Sequence, residues 1–255
     1  MRDYPAMTDH TEQVEPVPRR VRGLLGGRQV FDTVHAVYVW ESPRYPHYYI
    51  PLVDVESDLL VDEGHQQRLA RGTARVHGLR VGALTRPAAA RVFGGDAAAF
   101  GIADTVRFEW EALDSWFEEE EQVFVHPRNP YTRVDALRSG RTVRVQLGGA
   151  VLAESSATIM VFETGLPTRY YFNRSAVDFS FLTPSSTVTE CPYKGRTSAY
   201  WSAHVGDAIV ADVAWAYDFP TRQLLPITGL AAFLNEKVDI VVDGQPLERP
   251  LTPFS

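Results

Sequence analysis

In the stretch TECPYKGRTSAYW (189–201), a thiol at Cys191, a phenol at Tyr193 and an amine at Lys194 fall within four residues. These groups suit acid/base or covalent chemistry. The lysine ammonium is a compact charge whose proton affinity falls among apolar neighbours, which makes the amine usable as a base or Schiff-base nucleophile. An ammonium nearby also favours the thiolate form of a cysteine. Cys191 is the chain's single cysteine, and no histidine is paired with it in the sequence, so it ranks behind Lys194 as the nucleophile. The alternative is a buried cysteine beside a lysine that lies over an aromatic face. Pro192 biases Cys191 towards extended backbone and Gly195 suits a tight bend, so the segment reads as an ordered turn entering a strand.

A carboxylate joins this group through strand periodicity. In ATIMVFE (157–163), Ile159, Val161 and Glu163 share one side, while Thr158, Met160 and Phe162 share the other. Val37, Val39 and Glu41 repeat the pattern upstream. A carboxylate ending an apolar row is costly unless it is paired, protonated or able to reach water. Lys194, Arg169, Tyr170 and Tyr171 are the candidate partners of Glu163. The chemistry expected is proton transfer by Lys194 and Glu163, with Tyr170, Tyr171 or Tyr193 donating a hydrogen bond to developing negative charge. Trp201, Trp215 and Tyr217 are core candidates that could also line an aromatic cleft.

The elements that position these residues occur twice. VRGLLGGRQVFDTVHAVYVWESPRYPHYYI (21–50) aligns without a gap with VRVQLGGAVLAESSATIMVFETGLPTRYYF (143–172), at a constant offset of 122. Glu41, Tyr48 and Tyr49 answer Glu163, Tyr170 and Tyr171. Farther on, VDV (53–55) is matched with VDF (177–179), VRFEWEA (106–112) with VAWAYDF (213–219), and RVDALRSG (133–140) with KVDIVVDG (237–244). TARVHG (73–78) stands against CPYKG, with His77 about where Lys194 falls. Glu41, Tyr48, Tyr49 and His77 are therefore candidate ligand contacts, in the first copy or between the copies.

The expected organisation is a flexible tail over 1–18, a diverged first repeat over 19–140 and a second repeat over 141–255. The fold class is mainly β, or β-rich α+β: two tandem copies of a small antiparallel-sheet domain with few short helices. TVRVQL-GG-AVLAES and VRGLL-GG-RQVFD read as two-residue hairpins, and TSAYWSAHV-GD-AIVADVAWAY as another. In the last, Ala199, Trp201, Ala203 and Val205 share a face. RPAAARVFGG (86–95) and ITGLAAFLN (227–235) are the helix candidates.

The net charge of −7 and the lack of a basic stripe argue against nucleic acid and anionic membranes as partners. One cysteine permits neither an internal disulfide nor a thiolate zinc site, and the histidines at 10, 35, 47, 65, 77, 126 and 204 show no metal-ligand spacing. No phosphate-loop or dinucleotide motif is present, so no metal and no cofactor is expected. The first twenty residues lack an apolar signal core, which points to the cytoplasm. A homodimer is left open.

GG, VFE, YY, CPYKG, AYW and AWAYDFP occur in this order in the second copy, which resembles the family catalogued as domain of unknown function 427. The resemblance carries over to Glu163, Tyr170, Tyr171, Cys191, Pro192, Tyr193, Lys194, Gly195, Trp215 and Tyr217. It implies a small β-rich fold and supplies no activity; a tent-like arrangement of two sheets is our own expectation. Asn173 stands where the family pattern has proline; the first copy keeps Pro51 but lacks the CPYKG turn. The function expected is a metal-independent enzyme using acid/base chemistry of lyase, isomerase or hydrolase type on a small organic substrate. The alternative is a non-catalytic module that binds a small anionic or aromatic ligand.

Overall fold

A computed structural model describes residues 4–252 and 254. The chain divides into two compact units, one spanning Thr8–Asn129 and the other combining Met1–Met7 with Pro130–Ser255. The first unit contains β1 (Val14–Pro16), β2 (Val21–Leu25), β3 (Arg28–Thr33), β4 (Val37–Val39), β5 (His47–Pro51), β6 (Leu60–Leu69), β7 (Gly72–Val81), β8 (Leu84–Phe93), β9 (Thr105–Phe108), β10 (Ser115–Glu118) and β11 (Glu121–Val123). The second contains β12 (Val134–Ser139), β13 (Val143–Leu147), β14 (Ala150–Ser155), β15 (Thr158–Glu163), β16 (Arg169–Phe172), β17 (Leu182–Ser185), β18 (Glu190–Cys191), β19 (Gly195–Arg196), β20 (Ala199–Val205), β21 (Ala208–Ala216), β22 (Ala231–Phe233), β23 (Asp239–Val242) and β24 (Gln245–Pro246). The helical segments among the described residues are short 3-10 turns. None is long and apolar enough to cross a membrane.

Each unit builds a seven-stranded and a four-stranded antiparallel sheet. The orders are β1-β4-β5-β9-β8-β7-β6 with β11-β10-β2-β3, and β12-β15-β16-β22-β21-β20-β17 with β14-β13-β23-β24. The duplication extends to irregularities. A bulge lies between Gly23 and Leu24 and again between Val145 and Gln146, and an isolated bridge joins Phe31 to Val55 and again Ala153 to Val177. The GG turns carry the positive φ that a two-residue hairpin requires, 59° and 75° at Gly26 and Gly27, 55° and 86° at Gly148 and Gly149.

One core of each unit fills the space between its sheets. In the second unit Val143, Val145 and Leu152 from the small sheet meet Met160, Phe172, Trp201 and Ala203 from the large one. The other face of each large sheet carries a smaller cluster: Val39, Tyr49 and Phe93 in the first unit, Val161, Tyr171, Trp215 and Tyr217 in the second. Strand alternation divides neighbours between these faces, so Met160 enters one core and Val161 the other.

The two units also exchange volume at one cross-strand pair. Gly23 faces Phe31 in the first, while their counterparts Val145 and Ala153 face each other in the second. Gly23 leaves room for the Phe31 ring, and Ala153 leaves room for Val145.

Several expectations from the sequence are corrected. Residues 1–3 of the expected tail lie outside the described residues; within the rest, Pro5 accepts a hydrogen bond from the Gly165 amide at 3.1 Å and β1 pairs with β4. Residues 130–140 belong to the second unit, because β12 pairs along its length with β15. By sheet position β12 answers β1, not β23; β9 answers β22, not the 213–219 segment; and Val55, not Val53, answers Val177. RPAAARVFGG lies in β8 and the start of the turn after it, because hydrogen bonding to both β7 and β9 overrides alanine's helix preference, with Ala88 at φ 49° absorbing a bulge. ITGLAAFLN contributes β22, an apolar central strand buried on both faces.

Candidate functional site

The CPYKG segment is the turn of a small hairpin. Cys191 pairs with Gly195, leaving Pro192, Tyr193 and Lys194 as a three-residue loop that Gly195 closes at φ 94°. Thr221 fixes it from outside: its amide donates to the Lys194 carbonyl at 3.1 Å and its hydroxyl to the Tyr193 carbonyl at 2.5 Å. Thus anchored, Lys194 extends its Nζ to Glu163 at the end of β15, and donates a hydrogen bond to Oε2. Cys191 Sγ lies 4.0 Å from the same nitrogen. The Lys194 and Glu163 side chains are each 9% exposed.

Electrostatics reverse one expectation. Burial alone would weaken the Lys194 ammonium, but its interactions with Cys191, Glu163 and Tyr171 outweigh it and hold the amine protonated well above the ordinary lysine range. At neutral pH Lys194 therefore rests as a cation and hydrogen-bond donor rather than as a free base.

The apolar face beneath is built from alternate residues of the large sheet. Ile159, Val161, Tyr171, Tyr200, Trp215 and Tyr217 share it. Trp215 Nε1 donates to the Tyr171 hydroxyl at 3.2 Å, with the rings edge to face. Burial pushes the Tyr171 phenol up to about 12, against the opposing pull of the Lys194 charge and the Trp215 donor. Burial likewise raises Tyr217 and Tyr200. Arg169 does not serve Glu163. Its guanidinium forks onto Glu236 at 2.6 and 2.7 Å, reaches Asn235 at 3.1 Å and lies 5.9 Å from the centre of the Trp215 ring. Burial disfavours the Glu236 carboxylate, yet the Arg169 bonds outweigh that and hold it below the ordinary range.

The structure thus gathers Glu163, Lys194 and Cys191 beside the cluster of Tyr171, Trp215 and Tyr217. Tyr193 is buried in the turn. Tyr170 and Trp201 are corrected: both face the core between the sheets, where Trp201 packs edge to face on Phe179. Each stands one residue from a site-face tyrosine, Tyr171 and Tyr200, and the period-2 pleat sends it to the opposite side. Tyr200 stands near Lys194 in sequence but was not among the candidates, and Glu236, Asn235 and Thr221 were not legible as site residues. Nothing local marks these three, because their partners come from other strands and loops.

The first unit solves the same problem differently. Glu41 accepts from the Tyr49 hydroxyl at 2.9 Å and faces Arg107 Nε at 2.7 Å, so its cation comes from β9 within the sheet. Only Ala70 and Arg71 connect β6 to β7, whereas residues 186–198, CPYKG among them, connect β17 to β20. His77 consequently lies within β7, at the bulge position that answers Trp201, with Nδ1 3.2 Å from the Arg75 carbonyl. It is not a counterpart of Lys194. Tyr48, like Tyr170, faces the core between the sheets, where it donates to Glu118.

A doubled pair of antiparallel sheets, with a lysine-bearing turn in the second copy alone, defines a tandem β-repeat protein with one elaborated turn. The chain belongs to the family catalogued as domain of unknown function 427, whose model matches residues 13–119 and again 135–244. No curated protein matches it.

The tyrosine shifts set an alkaline limit. A phenol whose folded value is raised stabilises the fold fully below the unfolded value, about 10, and that contribution is lost as pH climbs through the folded one, about 12 for Tyr171. Lys194 acts in the same direction at higher pH. Stability is expected to hold to about pH 10 and to fall above it. Phenolate absorbance from Tyr48, Tyr49, Tyr171 and Tyr217 should then appear together with loss of near-ultraviolet dichroism, not before it.

Proposed function

We propose that the second repeat is a metal-independent acid/base catalyst for a small organic substrate in the cytoplasm, of lyase, isomerase or hydrolase type. Glu163 Oε2 is committed to Lys194, which leaves Oε1 to take a proton from a carbon or hydroxyl of the substrate. The Lys194 ammonium and the Tyr171 phenol, both protonated at neutral pH, supply positive charge and a donor to the oxygen on which negative charge develops. Cys191, partly exposed like Glu163, suits a second proton relay or covalent capture. The observation that carries this reading is a single nitrogen, Lys194 Nζ, held between a carboxylate and a thiol on a turn that the first repeat lacks.

Deuterium incorporation provides the test. The protein is incubated in heavy water with a panel of small carbonyl and hydroxy acids, and exchange is followed by proton NMR. Wild type is expected to label one class of substrate, and Glu163→Gln, which retains an acceptor for Lys194, to slow labelling by about a hundredfold or more. Labelling of that substrate at an unchanged rate by Glu163→Gln and Lys194→Met would overturn the reading. Ligand-induced thermal stabilisation without any exchange would replace it with the ligand-capturing alternative.

A further inference from the structure

We infer that Cys191 and Lys194 form a peroxide-responsive, reversible covalent switch, in which the cysteine sulfur becomes bonded to the lysine nitrogen. The inference rests on which partners an oxidised Cys191 has. A thiol that meets hydrogen peroxide becomes a sulfenic acid, which then condenses with a second thiol or with a backbone nitrogen; a side-chain amine is the stronger nitrogen nucleophile and can take the same place. No second thiol exists in the chain. The backbone nitrogen that follows Cys191 belongs to Pro192 and carries no hydrogen, so a sulfenamide cannot form there. Lys194 Nζ, 4.0 Å from Sγ and on the three-residue loop that Cys191 and Gly195 close, is a nitrogen within reach. Cys191 is partly exposed and open to a small oxidant, while the lysine is buried behind it.

The chemistry balances with hydrogen peroxide as the oxidant. Thiol and peroxide give sulfenic acid and one water. The ammonium passes a proton to Glu163 along their shared hydrogen bond as its nitrogen attacks sulfur, so no free amine accumulates; the S–O bond breaks, the N–S bond forms and a second water leaves. The protein loses two hydrogens in all. Two equivalents of an added thiol reverse the reaction, yielding the free amine, the Cys191 thiol and an external disulfide. Closing the bond removes the charge that Glu163 faces and breaks the ion pair, so peroxide would silence the site. The switch uses the same side chains as the proposed reaction but involves no substrate, so either can fail without the other.

The test treats the full-length protein with a few equivalents of hydrogen peroxide and weighs it intact. Wild type is expected to become two hydrogens lighter, to resist trypsin after residue 194, and to recover both mass and cleavage on adding dithiothreitol. Lys194→Arg, which keeps the positive charge, should gain oxygen instead. A wild-type protein that only gains oxygen would overturn the switch, as would a two-hydrogen loss that persists in Lys194→Arg.

Discussion

Lys194→Met will destabilise the second repeat by about 3–5 kcal/mol, the cost of leaving one member of a buried ion pair without its partner. The Glu163 side chain is 9% exposed and Oε2 takes its hydrogen bond from Lys194. Methionine fills similar space but donates nothing, so the carboxylate must be protonated, hydrated by local opening, or left charged and unpaired. The informative control removes both groups. Lys194→Met with Glu163→Leu should recover most of the loss, because well-packed apolar residues often replace a buried pair at little cost or a gain. Urea unfolding at constant slope measures the cycle. A single substitution within about 1 kcal/mol of wild type would mean that water, not Lys194, satisfies Glu163. A stable but inactive double variant would separate the pair's chemistry from its contribution to the fold.

Gly23→Val will destabilise the first repeat by about 3 kcal/mol or more, near the upper end of overpacking costs. A Cβ at Gly23 would lie 2.4 Å from Phe31 Cε1 and 2.6 Å from Leu113 Cδ1. The Phe31 ring is fully buried and stacked on Phe108, so it has nowhere to move. The second repeat supplies the compensation, since its counterparts are Val145 and Ala153. Phe31→Ala alone should cost about 3–5 kcal/mol through the cavity it leaves. Combined with Gly23→Val it should cost less than the sum of the two, with a coupling of about 1–3 kcal/mol. Leu113 keeps the rescue partial. Strict additivity in denaturant unfolding would show that the two positions do not share one volume.

Much of this architecture was legible because the signals are local. The GG turns, the alternation of ATIMVFE and the 122-residue offset each need only neighbouring residues or a comparison within the chain. The costliness of a carboxylate at the end of an apolar row pointed to a cation opposite Glu163, and Lys194 was among the candidates. The looser alignments failed where pairing is long-range. β12 resembles β23 in sequence, yet its place is fixed by hydrogen bonds to β15.

By itself the sequence determined the duplication, the strands and the grouping of a thiol, an amine and a carboxylate as the residues worth bringing together. Tertiary structure decided which face of the large sheet carries the candidate site. It thereby admitted Tyr171 and Tyr200 while sending Tyr170 and Trp201 into the core between the sheets. It also gave Arg169 to Glu236, gave Glu41 an arginine from β9, and left Lys194, an expected base, protonated at neutral pH. The reason is physical: period-2 alternation separates two faces without saying what covers each one, and a charge takes its proton affinity from neighbours that only folding supplies.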